Sequence, residues 1–128
     1  MISNQEPGLL QAEQIVENYI AMWHETEPGA RRRRIRALWV PEATHYVRTL
    51  VCTGYDALET RVTTSHQKNV WDGGYRFRST GIWTLRNAVT FNWEMFRPGD
   101  KAVESSGFDI LVLADDGRIL SDYQFVVS

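Results

Sequence analysis

Gly107-Phe108-Asp109-Ile110-Leu111-Val112-Leu113-Ala114-Asp115-Asp116-Gly117-Arg118-Ile119 sets the architecture of this chain. Phe108 to Leu113 is apolar on both faces of an extended segment except at Asp109. Asp115-Asp116-Gly117 then supplies a tight-turn signal, so the chain should reverse into an antiparallel partner at Arg118. Arg86-Asn87 and Pro98-Gly99-Asp100 punctuate the preceding residues in the same way. Four strands are predicted, from about Tyr75 to Leu85, Val89 to Phe96, Lys101 to Ala114 and Arg118 to Val127, and their short connections make an antiparallel meander. Before Asp72-Gly73-Gly74 the period changes. Ala12, Ile15, Val16, Tyr19, Ile20 and Trp23 recur at three-and-four spacing, which predicts a helix from Leu9 to His24. Thr26 as a cap and Pro28 near the first turn open a second helix, with Ile35, Leu38 and Trp39 as its buried stripe. Pro41 halts it, and residues 44–52 are rich enough in Val, Tyr and Thr to read as one strand. A third helix follows Gly54, carries Tyr55, Leu58 and Val62 on one side, and ends near Lys68. The layout is α+β, with three helices on one face of the sheet in a single domain spanning residues 1–128.

At 128 residues and 43% hydrophobic content, the chain can bury one continuous core. Its 14 basic and 16 acidic side chains leave a net charge of −2, which gives no global field for a polyanion, so nucleic acid is not an expected partner. Cys52 is the only cysteine and cannot close an intramolecular disulfide. The polar segment Met1 to Gly8 lacks the apolar stretch of a secretory signal, and no run reaches the ~18 apolar residues of a membrane span. A soluble, cytoplasmic protein without membrane partners is expected. Five each of Trp, Tyr and Phe suit a pocketed core, and equally an ordinary one.

Asp109 would be desolvated in its apolar strand. Burial raises a carboxyl pKa, and a neutral buried acid can donate a hydrogen bond to a developing oxyanion; a structural carboxylate satisfied by backbone or arginine is the alternative. Tyr19 lies on the buried stripe of the first helix, where its hydroxyl needs a partner. His45 is the candidate base, because imidazole titrates nearest neutrality. His24, at a helix end that favours imidazolium, and His66, in a polar run, read as surface residues. No metal-ligand spacing and no Gly-rich phosphate loop occurs, so neither metal nor cofactor is expected. Cys52 reads as a small buried hydrophobe. Arg31 to Arg34, with Arg36, read as a solvated helix face, with an anionic-substrate or partner contact as the alternative.

Tyr19-Ile20-Ala21-Met22-Trp23, Arg34-Ile35-Arg36-Ala37-Leu38-Trp39 running into Glu42-Ala43-Thr44, and the Gly107–Leu113 strand with its Asp115-Asp116-Gly117-Arg118-Ile119 turn together resemble SnoaL-like and ketosteroid isomerase-like proteins of the nuclear transport factor 2-like superfamily. The resemblance covers nearly the whole chain. It implies a cone-shaped fold, three N-terminal helices packed on a curved, mainly antiparallel sheet, and a pocket between them. It places Tyr19 and Asp109 where ketosteroid isomerases carry their two oxyanion-hole donors, the handling of a neutral carboxylic acid long known for that enzyme. The position of the family's general-base aspartate falls on Val47, which cannot shuttle a proton. His45 shares the face of Val47 but is displaced along the strand by about 6–7 Å. Trp23, Val47, Trp83, Phe91 and Trp93 are the expected pocket lining. Trp83, Phe91 and Trp93, with Met95, would instead form a dimer surface if they faced outward, since a one-residue slip exchanges the faces. Two functions follow: a cofactor-independent isomerase, cyclase or dehydratase acting on a small apolar carbonyl compound, or a non-catalytic module that binds a small hydrophobic molecule or dimerises. A homodimer is expected.

Overall fold

The computed structural model describes residues 7–128, so most of the polar segment Met1–Gly8 lies outside the described residues. Helix α1, Leu9–His24, buries Ala12, Ile15, Val16, Tyr19, Met22 and Trp23, the stripe expected from spacing, with Ile20 half-buried at its edge. Helix α2, Pro28–Leu38, starts with proline at a position where the missing N–H has no helical partner to lose. Its cap is Glu27, whose carboxylate accepts from the Ala30 N–H, and not Thr26. Trp39 also departs from expectation: α2 ends at Leu38, and Trp39 opens strand β1, Trp39–Val47. Its ring is fully buried, and the indole N–H donates to the Met22 sulfur at 3.2 Å.

The segment read as one strand is a hairpin. Strand β1 turns at Arg48-Thr49 and returns as β2, Leu50–Thr53, with Val47 opposite Leu50. Arg48 takes φ 51° to make this turn, a conformation that arginine's sequence neighbourhood does not advertise. Gly54, at φ 87°, then opens α3, Tyr55–Ser65, which runs directly into a π-helical segment, His66–Asp72.

The meander follows as β3 (Arg76–Leu85), β4 (Ala88–Phe96), β5 (Val103–Leu113) and β6 (Ile119–Val126), each antiparallel to the next. Strand β1 adds parallel to β6, so the six-stranded sheet is mixed, in the order β2-β1-β6-β5-β4-β3. The β1–β6 register breaks between Trp39 and Thr44. Pro41, which has no N–H to give a ladder, falls in that break. A second break, between Ser79 and Gly81 on β3, matters for the site.

The core is built from α1, α2, α3 and one face of the sheet: Met22, Ile35, Trp39, Leu58, Phe91, Leu111 and Ile119 are essentially inaccessible. Each such side chain contributes roughly 1.5–3 kcal/mol of burial free energy. No helix among the described residues is long and apolar enough to cross a membrane.

Candidate active site

Four buried polar side chains from four elements meet in one hydrogen-bonded chain. Asp109 on β5 and Asp122 on β6 both point to the core side of the sheet, as does His45 on β1, and each is at most 1% exposed. Tyr19 reaches them from α1. Its hydroxyl oxygen lies 2.8 Å from Asp109 Oδ2 and 2.6 Å from Asp122 Oδ2. Asp122 Oδ2 is also 2.7 Å from His45 Nδ1, and Arg61 Nε donates to His45 Nε2 at 3.3 Å.

These contacts fix the protons. The Arg61 N–H can only donate to a bare Nε2, so His45 is neutral and carries its proton on Nδ1, directed at Asp122. A phenol has one proton to give, yet Tyr19 touches two carboxyls, so one carboxyl must donate to it. Burial, and then the neighbouring Asp122 charge, hold the Asp109 pKa well above the usual carboxylate range. Asp122 is raised by burial to about 6, with hydrogen bonding and the Arg61 charge acting in the opposite direction. At neutral pH Asp109 is therefore the acid and Asp122 the carboxylate. The chain runs from the Asp109 O–H to the Tyr19 oxygen, from the Tyr19 O–H to Asp122, and from the His45 Nδ1–H to the same Asp122 oxygen. Burial followed by the Arg61 charge lowers the His45 pKa to about 4, which agrees with a neutral ring despite the adjacent carboxylate. Burial, and then the two neighbouring aspartates, push Tyr19 upward, so it keeps its proton.

Beside this chain lies a cavity of about 520 Å³. Its wall includes Tyr19, Trp23, Val47, Phe91, Trp93 and Asp109. Three buried polar atoms of that wall, Trp93 Nε1, Asp109 Oδ1 and Gln124 Oε1, have no hydrogen-bond partner among the described residues. Gly107 lets Trp93 lie against β5, because a Cβ there would sit 2.6 Å from the indole and 1.9 Å from the Phe125 carbonyl oxygen. Phe91, Trp93 and Met95 all face the cavity, which decides their orientation. Trp83 does not: it is 56% exposed and pairs with Thr90 on the opposite face. The register break on β3 inserts an extra residue there, so Phe77 and Ile82, rather than Trp83, end up on the inner side.

His45 is brought to the chain but not to the cavity wall; it lies behind it, between the rings of Trp23 and Trp39. The other histidines are not surface residues. The His66 Nδ1–H donates to the Trp23 carbonyl, one of the last of α1, at 3.0 Å. His24 Nε2 accepts the Phe77 N–H at 2.9 Å, which requires a neutral ring at the helix end where imidazolium was expected. Burial, then Arg76, lowers its pKa to about 4. Between about pH 4 and 6.5 the unfolded chain thus holds a proton on His24 that the folded chain does not, so this contribution is complete above pH 6.5 and is lost as pH falls toward 4. Glutamine can present its side-chain oxygen to the same N–H without titrating. The difference in melting temperature between wild type and His24→Gln should therefore move against wild type as pH drops from 6.5 to 4. A constant difference would show that the Phe77 bond is not coupled to protonation.

Two further expectations change. Arg31 is buried: its guanidinium donates to the Glu25 carbonyl at 2.8 and 3.2 Å and to Thr63 Oγ1 at 3.0 Å, tying the α1–α2 link to α3. Its spacing from Ile35 and Leu38 already placed it on their stripe. Arg32 and Arg34 do pair at the surface, with Glu59 and Glu25. Cys52 is half-buried at the core's edge.

No family model matches this sequence, and no curated protein does. Solved structures do. A protein from Agrobacterium tumefaciens, provisionally named an isomerase of the SnoaL-like family, superimposes with a TM-score of 0.84 over 94% of this chain and 100% of its own, at 24% identity. This chain has the SnoaL-like fold. A protein from Sinorhizobium meliloti provisionally named a polyketide cyclase follows at TM-score 0.67 and 13% identity, covering 88% of this chain and 94% of its own. A de novo designed protein with a curved β-sheet reaches 0.72 at 12% identity, covering 94% and 88%. One fold can host many unrelated functions, so function has to be argued from the site.

Within this SnoaL-like fold, Asp122 and Arg61 are the residues that sequence reasoning missed. Asp122 and Gln124 alternate with Tyr123 and Phe125, and the usual rule puts the aromatics inside. The reverse holds: Tyr123 and Phe125 are 41% and 45% exposed, and Asp122 is fully buried. An acid placed against the alternation was the available signal.

Proposed function

We propose that the protein is a cofactor-independent enzyme of the isomerase, cyclase or dehydratase type, acting on a small, largely apolar carbonyl compound bound between the helices and a curved sheet of a cone-shaped domain. One observation carries the reading: two buried carboxyls, Asp109 and Asp122, are joined through the single phenol of Tyr19 beside an aromatic cavity, and one phenol proton cannot serve both unless one carboxyl is itself protonated. Environments that push two acids apart in this way define an acid and a base. Simple retention of a greasy ligand gives no reason for the desolvation cost of a second buried carboxyl.

In this mechanism the substrate carbonyl oxygen accepts the free indole N–H of Trp93, which stabilises negative charge as an enolate forms. Asp109 Oδ1 takes the α-proton. As it does so, the Oδ2 proton passes to the Tyr19 oxygen and the Tyr19 proton to Asp122, so one proton leaves carbon and one arrives on Asp122. Reversal returns a proton to the substrate. The relay lets a neutral acid act as a base, which answers the apolar Val47 at the position where ketosteroid isomerases carry theirs. His45 is a positioning residue that holds Asp122 and does not itself meet substrate.

Val47 favours a second reading, a non-catalytic binder of small hydrophobic molecules in the same cavity. The two separate in deuterium oxide. Wild-type protein incubated with small cyclic and aryl ketones should exchange their α-protons faster than buffer; binding without exchange across the set would leave the binder. The expected homodimer belongs to the proposal as well. Stacked pairs Tyr46–Tyr123 and Phe108–Phe125, with centroids 4.8 and 4.6 Å apart, give the outer face of the sheet an apolar surface suited to a second copy. Sedimentation velocity distinguishes that dimer from a monomer.

A further inference from the structure

The cavity is open at one end. Its deep wall is made of buried residues such as Tyr19, Phe91 and Asp109, whereas Thr49, Leu50, Thr64 and Lys68 are exposed, so the mouth lies between the β1–β2 turn and the end of α3 with its π-helical extension. Charge is distributed unevenly along this axis. Three cations, Arg48, Arg61 and Lys68, line the cavity against one carboxyl, Asp109, in a chain whose net charge is −2. Arg32, Arg34, Arg78 and Arg118 each hold a carboxylate. Among the described residues Arg48 and Lys68 hold none. Arg61 partly offsets Asp122. Its Nε is committed to His45 and its guanidinium lies 5.1 Å from the centre of the Trp23 ring, while its two Nη groups make no hydrogen bond within the described protein. A guanidinium stacked on an aromatic ring with its Nη edge free is arranged to receive a carboxylate in its plane.

We infer that the ligand is an organic acid: its carboxylate is held by Arg61 with Arg48 and Lys68 at the mouth, and its apolar, carbonyl-bearing body lies against Phe91 and Trp93. This rests on the reading of the cavity as the ligand site and adds the chemical class. Cations lining a cleft with low-dielectric walls focus potential on an entering anion, and a neutral compound would leave Arg48 and Lys68 without a counter-charge.

The probes are 3-benzoylpropionate and its uncharged primary amide, which share the aryl ketone and differ only at the far end. Calorimetric titration should show the acid binding roughly tenfold or more tightly than the amide. The advantage should shrink as salt is raised. In an Arg48→Gln/Lys68→Gln double variant the acid-to-amide ratio should fall by about threefold or more. The ratio within each protein is the readout, so a folding defect that weakens both ligands does not imitate the effect. Equal affinities, a tighter amide, a ratio unchanged in the double variant, or no binding of either probe at millimolar concentration overturns the inference. Failure of the catalytic reading looks different: the acid binds with the expected preference while ketone exchange in deuterium oxide stays at the buffer rate.

Discussion

Replacing Asp109 with asparagine lowers the rate of ketone α-proton exchange by roughly 10²- to 10⁴-fold while ketone-induced thermal stabilisation persists. Asparagine has nearly the same shape, and its amide N–H can donate to the Tyr19 oxygen as the Asp109 carboxyl does across 2.8 Å. The cavity wall and the rest of the chain are therefore kept. What is lost is a group that can accept a proton on one oxygen and release one from the other, and the rate loss corresponds to about 3–5 kcal/mol of barrier. Nuclear magnetic resonance reads exchange and differential scanning fluorimetry reads binding, on the same samples. A variant that exchanges ketones at the wild-type rate would remove Asp109 from the chemistry; one that loses both signals together would point to a collapsed cavity.

Replacing Asp122 with leucine costs roughly 2–5 kcal/mol of folding stability, a large share of the 5–15 kcal/mol typical of a domain. Asp122 Oδ2 is the acceptor for both the Tyr19 hydroxyl at 2.6 Å and the His45 Nδ1–H at 2.7 Å, and it is fully buried. Leucine removes the acceptor and strands two buried donors, each costing about 1–3 kcal/mol; relief of the carboxylate's own desolvation returns part of that. Urea titration followed by tryptophan fluorescence gives the number. A leucine variant as stable as wild type would mean that these donors find other partners, and the proton relay would lose its terminus.

Much of the meander was legible because its turns are written in residues that prefer them: Asp115-Asp116-Gly117 carries Gly117 at φ 87°, where glycine is at ease. The β1–β2 turn was not, because Arg48-Thr49 contains none of those residues and the positive φ of Arg48 is imposed by pairing on either side. Asp109 stood out as one acid in an apolar run, and Tyr19 as the hydroxyl on a buried stripe; that they meet is a tertiary fact which only the fold supplies. Asp122 was hidden by a strand whose aromatic residues face outward. Trp83 was misplaced by a single extra residue on β3, since strand alternation has no memory of a bulge. His66 sits in a polar run, yet the change from α-helix to π-helix at that residue accompanies a buried ring bonded to the end of α1.

Two neighbouring carboxyls in this site differ in protonation at neutral pH. The direct test is a pH titration of the side-chain carboxyl carbons of Asp109 and Asp122 by nuclear magnetic resonance, with Asp109→Asn and Asp122→Asn used for assignment. The Asp109 carbon should remain at its protonated shift through pH 7 while Asp122 titrates near pH 6. Two carbons already at the ionised shift at pH 5 would contradict it, because Tyr19 would then have no donor on one side and the chain could relay no proton.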